Sequence, residues 1–138
     1  MTDRRDARLG ITLLEVLIVL AILAMVTTLA APRLIETFGR ARSHVAEVQL
    51  ANISAAIQIY YLDTGQFPTQ AEGLSALVLR PQGVEGWSGP YLDAESVADP
   101  WGRKWIFRQP GQDGSFELIS YGRDGQPGGA NEDADISS

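Results

Sequence analysis

The hydrophobic pattern divides the chain unevenly. Residues 11–31 hold 17 apolar positions out of 21, and the only charge among them is Glu15. At about 1.5 Å per residue, such a helix spans roughly 31 Å, one hydrocarbon core. Beyond Pro32 the continuous run gives way to a periodic one. Phe38, Ala41, Val45, Val48, Asn52, Ala55, Ile59 and Leu62 recur at three and four residues, with polar positions such as Arg40, Arg42 and Glu47 between them. That spacing predicts one helical face, covered by the rest of the chain. A helix of about 50 residues is therefore expected, kinked or locally melted near Pro32, where one backbone donor is missing.

After Leu62 the period changes. Asp63–Pro68 carries stop signals, and Thr69-Gln-Ala-Glu72 has the capping-box pattern of a short helix near 70–79. Residues 81–100 form a loop. Trp87 and Tyr91 there read as plugs of a small core or as a binding patch. Two weakly alternating segments follow, Lys104–Gln109 and Ser115–Tyr121, separated by the turn residues Pro110–Gly114. They predict a two-stranded antiparallel hairpin. Two strands are marginal alone, so the hairpin should pack on the long helix. The fold class is α+β, with segments 1–10, 11–31, 32–62 and 63–138.

Composition narrows the chemistry. There is no cysteine, which excludes disulfides, thiolate metal sites and a cysteine nucleophile. The net charge of −6 lacks the basic footprint of nucleic-acid binding, so no nucleic-acid partner is expected. No phosphate-binding loop, zinc pattern or catalytic triad occurs, which favours a non-enzymatic role. The only histidine, His44, lies in a charged stretch and reads as a surface residue.

Two readings of the N-terminus are open on the residues alone: a secretory signal cleaved near Ala30 and a plain uncleaved anchor. Arg4, Arg5 and Arg8 before the apolar run favour a cytoplasmic N-terminus, with the remainder across the membrane. Glu15 is costly in hydrocarbon. It either sits at headgroup depth or pairs with a positive group.

The segment Arg-Leu-Gly-Ile-Thr-Leu-Leu-Glu-Val-Leu-Ile-Val-Leu, residues 8–20, resembles the class III signal of type IV pilins and type II secretion pseudopilins. The resemblance implies cleavage after Gly10 by a prepilin peptidase and methylation of the new N-terminal Ile11, where the family usually has Phe. It also implies that Glu15 pairs with the α-amino group of a neighbouring subunit during assembly. Removing residues 1–10 takes away three Arg and two Asp, so the net charge moves from −6 to −7.

Farther along, Tyr61–Leu77, Asp99-Pro-Trp-Gly102 and Ile119-Ser-Tyr-Gly-Arg-Asp-Gly-Gln-Pro-Gly128 resemble the major pseudopilins of type II secretion, and the likeness runs from about Arg8 to Ile136. It implies a bacterial inner-membrane protein whose C-terminal region is periplasmic. Its copies would form a helical filament with minor pseudopilins on an inner-membrane assembly platform, with ATP hydrolysed by another protein. The filament would drive folded cargo through an outer-membrane secretin. A different type IV-like filament, or a membrane-tethered binding module, is the alternative.

The tail from Asp124 onward carries Asp124, Glu132, Asp133 and Asp135 among glycines and no base. Hard oxygens on a flexible loop suit calcium, and a solvated acidic tail is the alternative. The pseudopilin resemblance implies calcium held by the Tyr121 carbonyl, Asp124, Asp133 and Asp135, with the Ile136 carbonyl nearby. Asn131 and Glu132 are left without an assigned role.

Overall fold

The computed structural model describes residues 11–111 and 115–138. The chain divides into two units between Thr37 and Phe38. One helix, α1 (Leu13–Thr64), supplies the described part of the first unit apart from Ile11 and Thr12, and opens the second. An 18-residue window near its N-terminal end has a mean hydropathy of 2.6 and no buried residue.

Pro32 lies inside α1, and helical structure runs through it, so the expected local melting is not found. Proline removes only its own N–H from the ladder. Around it the hydroxyls of Thr27, Thr28 and Thr37 donate to the carbonyls four residues earlier, each at 2.8 Å. The helix stops where the sequence says it should. Gly65, at φ +73°, donates its N–H to the Tyr61 carbonyl at 2.8 Å, and the Thr64 hydroxyl takes the Tyr60 carbonyl at 2.7 Å.

In the second unit, the face of α1 that is covered differs from the expected one. Gly39, Ala46, Ile53, Ala56, Ile57 and Tyr60 are buried, whereas Phe38, Val45, Val48, Ile59 and Leu62 stay exposed. Phe38, Val45, Asn52 and Ile59 each precede the true seam residues Gly39, Ala46, Ile53 and Tyr60 by one position, about 100° around a helix. The helix is apolar on both sides here, so periodicity alone could not choose. The small Gly39, Ala46 and Ala56 mark the side that another layer can approach closely.

The Thr69–Glu72 capping box forms. The Glu72 carboxylate accepts the Thr69 N–H at 2.9 Å, and the Thr69 hydroxyl accepts the Glu72 N–H at 3.3 Å. It opens a turn rather than a helix over 70–79. Gly73 follows at φ +54°, a left-handed residue that closes the turn at once, and α2 covers only Ser75–Val78. A 3-10 turn at Ala94–Val97 lies in the loop before the sheet.

The hairpin is present as β1 (Ile106–Arg108) and β2 (Glu117–Ser120), with Phe107 opposite Leu118 and Arg108 opposite Glu117. Residues 112–114 of the expected turn lie outside the described residues. A third strand, β3 (Ile136–Ser137), pairs antiparallel with β2 and gives the sheet order β1-β2-β3. Sequence reading missed it because two residues leave no measurable alternation. The core joins Ile53, Ile57 and Tyr60 of α1 with Leu77, Trp105, Phe107 and Leu118. Fully buried Ile53, Ile57, Leu77 and Leu118 contribute about 1.5–3 kcal/mol each.

Trp87 and Tyr91 serve this core. The Trp87 indole N–H donates to the Ala76 carbonyl at 2.9 Å, and the Tyr91 ring meets Tyr60 edge-on at 5.8 Å. The Tyr91 hydroxyl donates to Asp63 at 2.8 Å, and the Ser88 hydroxyl donates to the same carboxylate. Those two donors hold the Asp63 carboxyl below its ordinary pKa. A depressed carboxylate contributes stability that is present above its unfolded pKa and lost as pH falls through the folded value. Asp63→Asn is therefore expected to flatten the acid limb of the stability–pH curve below about pH 4. Thermal midpoints measured from pH 3 to 7 check this, and identical acid limbs would refute it.

Candidate functional site

Two regions carry the residues singled out from sequence. The first is the start of α1. Gly10 lies outside the described residues, and Ile11 is exposed. Thr12 precedes the helix, and its hydroxyl accepts the Glu15 N–H at 3.2 Å while its carbonyl accepts the Val16 N–H at 3.2 Å. Thr12-x-x-Glu15 is thus half of a capping box, a signal that sequence reading passed over. The cap fixes where the helix begins and places Glu15 in its first turn. A carboxylate there faces the positive end of the helix dipole. Every residue from 11 to 30 is exposed in the isolated chain, so the segment offers a bare apolar surface with one acid near its start.

The second region is the loop between β2 and β3. It does not gather its acids around a point, and no group of three metal-ligating side chains occurs among the described residues. Asp124 Oδ1 accepts the Gln126 N–H at 3.0 Å, and Asp135 Oδ2 accepts the Gly128 N–H at 2.9 Å. The Tyr121 carbonyl accepts the Gly125 N–H at 3.0 Å. Ile136 lies in β3, opposite Ser120.

Asp133 is held by Arg123. Its two carboxylate oxygens accept the guanidinium Nε–H at 2.8 Å and an Nη2–H at 2.9 Å. These bonds and the adjacent negative charge raise the Arg123 pKa above its ordinary value. Glu132 turns toward α1. Its largely shielded carboxylate accepts the Trp101 indole N–H at 3.1 Å and lies 3.6 Å from Arg42 and 3.4 Å from Arg123. A Cβ on Gly39 would come within 2.8 Å of it, so Gly39 makes room for this anchor.

Arg103 braces the same loop by donating to the Gly122 carbonyl at 2.6 Å and to the Arg123 carbonyl. Sequence reading overlooked these basic residues. The available signal was Arg123 itself, the sole base in residues 109–138. The donor chemistry suits calcium, all oxygen and largely carboxylate. Asp133 is already paired with Arg123, so an ion that uses this carboxylate has to displace the guanidinium.

Beneath the loop lies the buried carboxylate of Asp99. Its Oδ1 accepts the Trp101 and Arg103 N–H groups at 3.1 and 2.8 Å, and its Oδ2 accepts the Ser120 hydroxyl at 2.7 Å. This acid ties the Asp99–Gly102 turn to β2 and orients Arg103. His44 is exposed, 3.4 Å from Glu47, consistent with a surface role.

A capped apolar helix, uncovered at its start and followed farther along the chain by a small antiparallel sheet, defines a pilin-like subunit. The prokaryotic N-terminal methylation motif matches residues 5–31, and the family Type II secretion system (T2SS), protein G matches residues 33–138. The chain belongs to that protein G family and is a pseudopilin. It is 38% identical over 132 residues to type II secretion system core protein G of Xanthomonas campestris pv. campestris, covering 96% of this chain and 90% of the relative. Identity to core protein G of Pseudomonas aeruginosa is 34% over 138 residues, covering 98% and 97%. The major pseudopilin of the type 2 secretion system of enterohaemorrhagic Escherichia coli has a similar crystal structure. The TM-score is 0.61 at 26% identity, covering 78% of this chain and 94% of that one.

Proposed function

We propose that this pseudopilin is a major structural subunit of the type II secretion pseudopilus. A prepilin peptidase/N-methyltransferase cleaves after Gly10 and methylates Ile11. Residues 11–31 anchor the chain in the inner membrane with the N-terminus cytoplasmic and the C-terminal region periplasmic. Copies then join a helical filament with minor pseudopilins on the assembly platform, and the filament drives folded proteins through the outer-membrane secretin.

The observation that carries this reading is the bare start of α1, where one carboxylate lies in an otherwise apolar surface with nothing packed against it. A buried charge needs an opposite charge. Cleavage creates one at Ile11, so neighbouring helices can pair amine with carboxylate and fix their axial stagger. Trp87 and Tyr91 are spent on the core, which removes the feature that suggested a tethered binding module.

Intact-mass analysis of the membrane-extracted protein tests the first step. The expected mature chain begins at Ile11 and carries one methyl group on its amine. A chain that still begins at Met1 in cells with an active peptidase overturns the proposal. Calcium belongs to the same proposal as a ligand of the Tyr121–Ile136 loop, supported by its oxygen-only donors.

A further inference from the structure

We infer that Arg123 is the resident cation of the C-terminal loop and competes with calcium for Asp133, so that this residue sets how much the loop depends on the ion. The inference rests on the calcium reading above. It starts from a feature that reading did not contain: the guanidinium grips both oxygens of Asp133 at 2.8 and 2.9 Å. Exposed single-point ion pairs stabilise little, whereas a forked arginine–carboxylate pair has fixed geometry and stronger bonds.

The surroundings keep the fork in place. The Arg123 N–H donates to the Glu132 carbonyl at 2.8 Å, so backbone and side chain both cross the loop at this point. Glu132 is anchored to Trp101 and lies beside Arg42, which fixes the position of the neighbouring Asp133. Arg103 holds the carbonyls of Gly122 and Arg123 from the other side. The loop is thus closed by two guanidinium groups acting on its carboxylates and carbonyls.

A divalent ion using Asp133 must displace the Arg123 fork and accept a positive charge close by. Both effects weaken binding, and both disappear when Arg123 is replaced by a neutral residue. Conversely, Arg123 neutralises Asp133 without any metal, so the loop stays closed when calcium is scarce. Anything that binds only the folded state raises its stability with concentration, so melting reads the competition directly.

The test uses the full-length chain in detergent. Thermal unfolding is followed by the fluorescence of Trp87, Trp101 and Trp105, all within the 38–138 unit. Arg123→Gln is compared with the unsubstituted chain in chelator and across a calcium titration, and both are repeated with Asp133→Asn. In chelator, R123Q is expected to melt several degrees lower. Its calcium response should be larger and half-complete at a several-fold lower concentration. In the D133N background, R123Q should cause a much smaller drop, because only its 3.4 Å contact with Glu132 is then lost.

Equal midpoints in chelator overturn the inference. Calcium curves that superimpose for the two chains leave the calcium reading standing and overturn the competition. Calcium that moves neither midpoint overturns the calcium reading, and the competition with it.

Discussion

Glu15→Ala is expected to abolish filament assembly while leaving membrane insertion and cleavage intact. The alanine keeps the apolar segment and removes only the carboxylate. In the assembled filament, the amine of a neighbouring Ile11 is then left buried without its partner. Removing one member of a buried ion pair costs about 3–5 kcal/mol. At about 1.4 kcal/mol per tenfold, this lowers the association of each subunit by a hundredfold or more. Glu15→Gln should fail similarly, because size is kept and charge is lost. Glu15→Asp should retain part of the function, because its charge remains within reach. Sheared-filament yield beside the mass of the processed monomer distinguishes these outcomes. Normal filaments from a correctly processed E15A chain would remove the pairing from the account.

The largest effect on stability is expected at Asp99. This carboxylate is buried and accepts two backbone N–H groups and the Ser120 hydroxyl. Asp99→Ala leaves three donors without their acceptor, the Ser120 hydroxyl in the buried interior and the Trp101 and Arg103 N–H groups partly buried. Each such group costs about 1–3 kcal/mol, and partial repair by water makes about 3 kcal/mol a fair total. In a unit of about 100 residues this lowers the thermal midpoint by about 10 °C or more. Asp99→Asn keeps an acceptor and should fall between the two. Because Asp99 also positions Arg103, the loss should extend to the C-terminal loop. An unchanged midpoint for D99A would show that the turn is held by other contacts.

Much of the architecture was legible before any coordinates. The 21-residue apolar run and the stop at Asp63–Gly65 rest on strong local signals, and the β1–β2 hairpin on weak alternation either side of the Pro110–Gly114 turn residues. The covered face of α1 was not legible. Val45, Val48 and Ile59 are as apolar as Ile53 and Ile57, and only tertiary packing chooses between them. Gly73 was visible, yet the left-handed conformation that cuts short the 70–79 helix depends on how α2 docks. At the candidate sites, Ile11 and Glu15 were identified from the signal pattern, whereas the cap on Thr12 was overlooked. The acids of the final loop were singled out as a group, whereas the structure gives them separate partners. Asp133 and Glu132 find their partners in Arg123 and Trp101, which reach them through the fold across separations of 9 to 31 residues.

The buried residues Gly39, Ala46, Ile53 and Tyr60 recur at intervals of seven. An α-helix completes slightly less than two full rotations in seven residues and falls behind by about 20° each time. Over three intervals the seam drifts by about 60°, so the sheet and loops clasp the rod along a slow left-handed spiral rather than a line parallel to its axis. The uncovered strip through Val45, Val48 and Ile59 must follow the same spiral. Any neighbour lying along that strip is thereby steered toward an oblique crossing.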